Sequence, residues 1–334
     1  MKYLKLFKNH EEYEEEKASG LTLPNVSHCI QEAEVHYNQP LNWVIKTKYY
    51  VSDISQPTKM GGKYSACGIT VWGLQDVDHL IIDGVEVEVP EKTENGYFYQ
   101  FNSVGEHSID YVMKSSGVEQ VYDEATDSYI EQTVQYSGCS ISMFMLRECF
   151  DITSIKIPNS VTSIGNSAFR GCTRLASITI DNNNTVYDSR NNCNAVIKTE
   201  DNTLICGCKN TVIPNNVTSI NGGAFQNSTS LSSVTIPNSV TSIGGSAFQY
   251  CSDLTNVSIG SGVTSIDSGA FDNCSSLTRI EIKAIVPPTI DEMYVFSNTN
   301  GCPIYVPDES VNAYKTTGWW TKYTERIFPI NGQR

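Results

Sequence analysis

The chain has 334 residues, of which 40% are hydrophobic, so it can bury a substantial core and is expected to form two or three structural units. Its net charge is −14, most of the acidic excess lies before residue 150, and no basic stripe is present to neutralise phosphates. DNA and RNA are therefore excluded as expected partners, and insertion into a membrane is excluded because no run approaches the ~20 apolar residues that cross a bilayer.

Residues 1–40 contain KLFKNHEEYEEEKASG, which is expected to form a helix or a solvated acidic tail that ends at Gly20. The stretch turns acidic before an apolar signal-peptide core can form, so no export signal is expected. The segments LPNVSHC and VHYN resemble a short leader on proteins encoded by Bacteroidales phages. This resemblance implies an attachment segment and favours a virion-surface over an exported extracellular location, with release by lysis in place of secretion.

Residues 41–137 carry alternating apolar and polar segments, separated by Gly, Asn and Pro, at residues 43–51, 79–83, 97–101 and 107–112. This pattern predicts the strands of a small β-sandwich. The run IIDGVEVEVPEKTENGYFYQFNSVGEHSIDYVM resembles an immunoglobulin-like module that precedes repeat arrays in gut Bacteroidales and their phages. The resemblance implies a spacer that holds the following region away from its anchor.

A repeat follows this module. Four segments beginning at Ile157, Ile213, Ile236 and Ile259 superimpose without gaps, and the last three begin 23 residues apart. One Phe, one Leu and usually one Cys recur at fixed positions in each copy, and such columns form the stacked core of a solenoid.

Each coil is predicted to contain a strand, a turn, a second extended piece and a second turn. In SVTI, Val234 and Ile236 point inward and Ser233 and Thr235 point outward, as expected for a strand with one buried face. The extended piece 240–243 is followed by a glycine that permits the next turn.

One coil is ten residues longer than the others, because the first two copies lie 56 residues apart. Its sequence, DNNNTVYDSRNNCNAVIKTEDNTLICGCKNT, is rich in turn formers and predicts a strand hairpin built into the array. A degenerate first coil is predicted to begin near Gly138, with Met145 and Leu146 in the Ala-Phe position.

The pattern IPNSVTSIGxxAFxxCxxLxSI resembles the BspA-like leucine-rich repeat family over residues 138–286, and the long coil resembles a repeat variant of that family. The departures, Ser228 at the Cys position and Gly260 at the Pro position, leave the expected fold unchanged. The resemblance implies a mainly β protein, in which a solenoid used for adhesion and for protein or matrix binding follows a small immunoglobulin-like β-sandwich.

Residues 287–334 resemble the closing segment of BspA-like arrays and are expected to cover the end of the solenoid. Asp308 is predicted to cap a short helix that runs through Tyr314. The apolar plug is predicted to consist of Trp319, Trp320, Tyr323 and Ile327. A surface on which the Trp pair stacks against a ligand is the alternative.

No catalytic or cofactor site is expected. Cys193, Cys206 and Cys208 are either zinc ligands or structural thiols near the hairpin, and the absence of a second pair or a nearby His favours thiols. Glu86 and Glu88 share a strand face, as in a glycosidase pair, although acidic strand faces are usually only solvated. The five histidines precede the solenoid without a nucleophile motif and are interpreted as structural, so we predict a protein that is not an enzyme.

The outward polar stripe of the solenoid is the remaining candidate site. A flat row of small hydrogen-bonding groups suits recognition of a protein or glycan by many weak contacts, although the same residues are also simply good on a strand surface. The predicted face consists of Ser154, Lys156, Ser177, Thr179, Asp181, Asn210, Ser233, Thr235, Asn256, Ser258, Arg279, Glu281 and Lys283.

Two functions follow from these observations. The first is adhesion or receptor binding, in which the solenoid of a phage particle or bacterial surface protein recognises a host surface protein or glycan. The alternative is a structural virion component, in which the solenoid packs against other phage structural proteins.

Replacing Phe248 tests the repeat register. We expect Phe248→Ala to open a cavity in the core and to lower the free energy of unfolding by ~3–5 kcal/mol, with reduced cooperativity of the array. Urea denaturation followed by circular dichroism measures the change. A loss below about 1 kcal/mol would show that the register is wrong.

Overall fold

The computed structural model describes residues 44–332, apart from residues 53, 56, 62, 67–68, 73–76, 94–95, 114–115, 124–127, 136–138, 142–144 and 291–293. The predicted leader, residues 1–40, lies outside the described residues. The described part is built mostly from short β-strands, which confirms the mainly β fold class.

The region before the solenoid contains antiparallel strands. They are β1 Val44–Val51, β2 Thr58–Gly61, β3 Lys63–Ala66, β4 Ile69–Trp72, β5 Val77–Ile82, β6 Val85–Glu88, β7 Lys92–Thr93, β8 Gly96–Tyr99, β9 Gly105–Met113, β10 Ser116–Asp123 and β11 Ser128–Gln135. β6, β5, β9 and β1 lie side by side in that order, β2, β8 and β7 form a second sheet, and β3–β4 and β10–β11 are hairpins. The predicted strands are confirmed, while the immunoglobulin-like arrangement stays a prediction.

Buried hydroxyl groups join the strands of this region inside its apolar core. The hydroxyl of Tyr49 lies 2.7 Å from that of Tyr111, which in turn donates a 2.8 Å hydrogen bond to the Met60 carbonyl. Thr47 Oγ1 donates a 2.7 Å hydrogen bond to the Ile109 carbonyl. These bonds satisfy polar groups that would otherwise be costly to bury.

The solenoid begins on a strand of the preceding region. Its first strands are β12 Cys139–Ile141, β13 Ile152–Ile157, β14 Val161–Ile164 and β15 Ser177–Ile180. β13 pairs in parallel with β15 on one side and antiparallel with β1 on the other, so one six-stranded sheet crosses the predicted boundary at residue 137/138. β1 therefore covers a solenoid edge whose backbone groups would otherwise be unpaired.

The core is continuous across this junction as well. Ile45 and Tyr49 of β1 belong to the same buried cluster as Cys149, Ile152 and Cys172 of the first coils. The region predicted as a spacer thus also supplies the wall against which the first coil packs.

The long coil contains the predicted hairpin. Its strands are β16 Tyr187–Asp188, β17 Ala195–Lys198 and β18 Thr203–Gly207, with β19 Ser219–Ile220 following. β17 and β18 pair antiparallel, which confirms the prediction, and β18 then pairs in parallel with β19 and so joins the second ladder of the solenoid.

The regular coils form two parallel ladders. Their strands are β20 Ser233–Ile236, β21 Ser242–Ile243, β22 Asn256–Ile259, β23 Ser265–Ile266, β24 Arg279–Ile282, β25 Thr289–Ile290, β26 Ile304–Val306 and β27 Ile327–Pro329. One ladder runs β20-β22-β24-β26-β27 and the other β19-β21-β23-β25. Each coil therefore adds one strand to each ladder, as the alternation predicted.

Identical side chains stack between these ladders. The rings of Phe225, Phe248, Phe271 and Phe296 lie parallel, with centroids 4.8, 5.0 and 5.5 Å apart. Beside them, thiols donate to carbonyls of the preceding coil, as from Cys274 Sγ to the Phe248 carbonyl at 3.0 Å. Cys172, Cys251 and Cys274 are buried as predicted; Cys251 and Cys274 share one core cluster, whereas Cys172 belongs to the cluster of the first coils.

The closing segment consists of a 3-10 turn at Asp308–Ser310, helix α1 at Val311–Thr316 and a longer 3-10 segment at Gly318–Arg326. Trp320, Tyr323 and Ile327 are buried, which confirms this part of the plug. Trp319 was wrongly placed there: it is 43% exposed, because adjacent residues of a 3-10 segment point in different directions, and Lys322 lies over its ring.

The predicted helix cap is also wrong. The carboxylate of Asp308 does not bond the helix, because the helix begins after an intervening 3-10 turn, and its Oδ1 instead accepts a 3.2 Å hydrogen bond from the Asn331 amide.

The last strand of the solenoid exposes few free donors. The amide of Ile327 already donates to the Thr324 carbonyl, and Pro329 has no amide hydrogen. β27 therefore ends the sheet without offering a regular edge to another strand.

A buried histidine joins β9 to the turn after β5. His107 Nδ1 lies 2.6 Å from Asp83 Oδ2, and its Nε2 lies 3.0 Å from the Ser103 carbonyl. Burial alone would lower the pKa of His107, but the bonds to Asp83 and Ser103 raise it above the usual 6.5. Burial alone would raise the pKa of Asp83, but its bonds to His107 and Ser108 lower it below 3.8.

The charged pair of His107 and Asp83 contributes fully to the stability of the fold between about pH 4 and 6.5. This stability is lost as the pH rises through the raised pKa of His107, or as it falls through the lowered pKa of Asp83. We expect Asp83→Asn to bring the pKa of His107 below 6.5, because burial then acts without a carboxylate. NMR titration of the His107 Cε1 proton measures this pKa. The loss of stability should be larger at pH 5 than at pH 9 but below about 1 kcal/mol, since the Asp83 side chain is 48% exposed. An unchanged pKa would contradict the pairing.

Candidate functional site

The outward side of β13, β15, β20, β22 and β24, which we call the recognition face, carries most of the predicted residues. None of the predicted residues is buried. Asp181 and Lys283 lie one residue beyond β15 and β24, and Asn210 lies outside any strand.

Parallel pairing brings equivalent residues of successive coils together. Thr235 lies opposite Ser258, which lies opposite Glu281, and a second row joins Ser233, Asn256 and Arg279. Neighbouring strands are about 4.8 Å apart, so a partner that covers one row contacts several coils at once.

The recognition face is divided at the long coil. Residues 208–218 form no strand, so β15 and β20 do not pair, and Asn210 does not take the strand position that the register predicted. The physical reason is the insert, because Val212 N donates to the Cys193 carbonyl and Thr211 Oγ1 to the Asn194 carbonyl. Val212 is left 74% exposed between the two halves.

The C-terminal half of the face ends in a group of charged and aromatic side chains, which we call the anchor cluster: Arg279, Glu281, Lys283, Tyr305 and Phe328. The guanidinium carbon of Arg279 lies 4.0 Å from the centroid of the Tyr305 ring, and its Nη2 lies 3.0 Å from Glu281. Lys283 Nζ lies 3.8 Å from Glu281, and the rings of Tyr305 and Phe328 are 6.2 Å apart. Arg279 is therefore held from two sides in a half-exposed position.

Tyr305 and Phe328 were missed by the sequence analysis, which treated everything after residue 286 as a cap. Register places both on the face, with Tyr305 opposite Glu281 and Phe328 opposite Tyr305. The signal was the same alternation as in the repeats, because Tyr305 stands between the buried Ile304 and Val306, and Phe328 follows the buried Ile327.

The N-terminal half of the face continues onto the preceding region. Lys46 of β1 lies opposite Lys156 of β13, and Lys48 lies opposite Ser154. Asp110 and Glu106 of β9 hold these two β1 lysines at 3.2 and 2.6 Å. This extension was also missed, because the pairing of β1 with β13 leaves no periodic trace in the sequence.

The candidate chemical sites do not assemble. Cys193, Cys206 and Cys208 are free and buried, and within residues 44–332 as described, no group of three or more His, Cys, Asp or Glu side chains is placed to hold a metal ion. Glu86 and Glu88 are exposed on β6, at the edge of its sheet. No helix of the described part is both long and apolar enough to cross a membrane.

Comparison with known families gives a match to a family of repeat proteins. The pattern of the BspA type leucine rich repeat region matches six copies over residues 129–199 and 204–316, together more than half of the chain. No curated protein sequence matches the chain.

Several solved structures are similar. A leucine rich cell surface protein from Faecalibacterium prausnitzii is 26% identical over 58% of this chain and 52% of its own, with a TM-score of 0.41. A leucine-rich repeat protein from Bacteroides ovatus is 23% identical over 55% and 46%, with a TM-score of 0.32. The pneumococcal vaccine antigen PcpA is 14% identical over 57% and 58%, with a TM-score of 0.37. The chain spans about half the length of these structures.

The buried thiols allow a test of their proposed structural role. Burial raises the pKa of Cys149 and of Cys274 to about 12, so almost no thiolate is present at neutral pH. We expect both to resist iodoacetamide in the folded protein and to react in 6 M guanidinium chloride, as measured by peptide mass spectrometry. Rapid alkylation of either thiol in the folded state would contradict their place in the core.

Proposed function

The chain belongs to the BspA type leucine-rich repeat family, and from that membership we propose that it is a non-enzymatic adhesion or receptor-binding protein. Its proposed partner is a surface protein or glycan, bound through the recognition face. The proposed location is the outside of a cell or the surface of a virion.

The anchor cluster is the observation that carries this proposal. Interfaces draw most of their binding energy from a few Arg, Tyr and Trp side chains that are well packed and already oriented. Arg279 is oriented in this way by Tyr305 and Glu281. The small hydroxyl and amide groups around it add shape complementarity and little energy.

The size of the face indicates how much of it a partner must use. The five strands from β20 to β27 have three or four residues, are about 10–13 Å long and lie about 4.8 Å apart, so together they present roughly 300 Å² of outward surface. A stable interface covers about 800 Å² on each partner. A firmly bound partner therefore has to extend from the anchor cluster across the exposed Val212 towards β13 and β1.

A structural role within a virion is the alternative proposal. In that case the same face packs against other particle subunits, and the isolated protein has no affinity for host cells.

The test is binding of the fluorescently labelled full chain to intact bacterial and host cells and to purified collagen, fibronectin and laminin. We expect Arg279→Ala to weaken binding to the target by about thirtyfold, which is the loss of a hot-spot residue. Arg279→Lys should bind the target almost as weakly as Arg279→Ala, because an ammonium group cannot stack on Tyr305 as the planar guanidinium group does.

Lys322→Ala is the matched control. This lysine also lies over an aromatic ring, 5.5 Å from the centroid of Trp319, but it belongs to the closing segment and to none of the strands of the recognition face. Its removal should leave affinity within about threefold, the range of a rim contact. Equal effects of the two substitutions, or binding that survives Arg279→Ala, would contradict the proposal. No binding to any target, combined with firm retention in purified virions, would favour the structural alternative.

A further inference from the structure

The long coil builds a polar cleft beside the recognition face. The cleft has a volume of about 270 Å³ and lies where β15 ends, against the loop after it and the turn at residues 188–192. Two residues of the recognition face, Thr179 and Asp181, form part of its wall. Insertions in repeat proteins map to loops on one face, which is often the binding face.

The walls of the cleft are held by a closed set of hydrogen bonds. Asn184 Nδ2 donates to the Pro158 and Val161 carbonyls, and its Oδ1 accepts the amides of Val186 and Tyr187. Ser189 Oγ donates a 3.0 Å hydrogen bond to a carbonyl of β15. A ligand would therefore meet a wall that is already in place, which lowers the entropic cost of binding.

The charges of the cleft are nearly balanced. Arg190 donates to both oxygens of Asp188, at 2.8 and 2.6 Å, and donates a third hydrogen bond to Asn202 at 2.7 Å. Asp181 is left as the single uncompensated carboxylate. Such a site disfavours an anion, and its lining, in which Ile180 is the one apolar side chain, does not favour an apolar ligand.

Several side chains at the mouth of the cleft have unused hydrogen-bonding groups. Among the described residues, the side chains of Thr179, Asn182, Asn191 and Asn192 have no hydrogen-bond partner, and only Oδ1 of Asp181 is occupied, by Asn183. Together they offer one hydroxyl, three primary amides and one carboxylate oxygen. An amide presents a donor and an acceptor side by side, which is what two neighbouring hydroxyl groups of a sugar require.

We propose that this cleft binds one neutral sugar residue of a surface glycan. The proposal rests on the surface-binding function and assigns recognition of a glycan to a site separate from the anchor cluster. A volume of about 270 Å³ is slightly below the ~300–1,000 Å³ of sites for drug-sized molecules, so the cleft holds a single sugar ring. Further sugar residues would extend along the recognition face past Thr179.

The asparagines have a second, purely conformational explanation. Asn191 and Asn192 have φ values of 56° and 52°, in the left-handed region where Asn and Gly are favoured. Glycine satisfies the backbone equally well and removes the amide. Substitution by glycine therefore separates the two explanations, because it preserves the turn and removes only the proposed sugar contacts.

The test is titration of the full chain with glucose, galactose, mannose, fucose and N-acetylglucosamine, followed by saturation-transfer NMR and calorimetry. We expect at least one sugar to bind with a Kd near 1 mM, because a small number of neutral hydrogen bonds gives an affinity of this order. The double variant Asn191→Gly/Asn192→Gly should weaken that binding at least tenfold, and Asp181→Asn about threefold to tenfold.

Asn194→Gly is the matched control, because Asn194 lies in the same insert with a φ of 54° but does not line the cleft. Its affinity for the sugar should be unchanged. The proposal is overturned if no sugar binds, or if the double variant binds the sugar as tightly as the unaltered chain does. It is also overturned if N-acetyl-lysine methylamide, a small model of a peptide ligand, binds in the cleft and the sugars do not. Each of these outcomes leaves binding through Arg279 intact, so failure of the sugar site is distinguishable from failure of the proposed function.

Discussion

Coil-on-coil stacking of identical buried side chains is the interaction on which the rest of this protein depends. A coil of 23 residues is too small to enclose its own Phe and Leu, so each ring is covered only when the next coil lays an equivalent ring about 5 Å away. The thiol and threonine hydrogen bonds to the preceding coil follow the same spacing, as in the bond from Thr264 Oγ1 to the Thr241 carbonyl. Because the inward positions are fixed by stacking, the outward positions of the same strands are free to vary.

Stacking leaves two unfinished ends, and the protein closes them by different means. At the first end, β1 pairs with β13 and adds Ile45 and Tyr49 to the core of the first coils. At the other end, Phe296 is covered by Trp320 and Tyr323, with ring centroids 6.0 and 5.5 Å away. The buried Trp320 indole also donates a 2.7 Å hydrogen bond to the Pro288 carbonyl, so its polar group is satisfied.

Features that repeat could be predicted from the sequence, whereas a pairing between distant segments that each occur once could not. The Phe and Cys columns, the outward row and the inserted hairpin all follow from comparing copies of the coil. The pairing of β1 with β13 involves residues about a hundred positions apart that occur in one copy, so no pattern indicated it. Asn210 was misplaced for a related reason, because bonds from the insert replace the strand pairing that the register assumed. Tyr305 and Phe328 could have been predicted, since each directly follows a buried isoleucine in a short strand, but the end of the Phe and Cys spacing hid their continuity with the face.

The two closures also determine how this architecture can change in length. The coils containing Phe248 and Phe271 stack on an equivalent phenylalanine on both sides, with ring centroids 4.8 to 5.5 Å apart. Duplication or loss of one such coil would leave β1 at one end of the solenoid and Trp320 at the other, and each would still pack against a coil of the same shape. The distance between the anchor cluster and the sugar cleft would then change by one strand spacing, about 4.8 Å, per unit. Gain and loss of middle coils thus provides a graded way to match two contact points to a new partner without redesigning either of them.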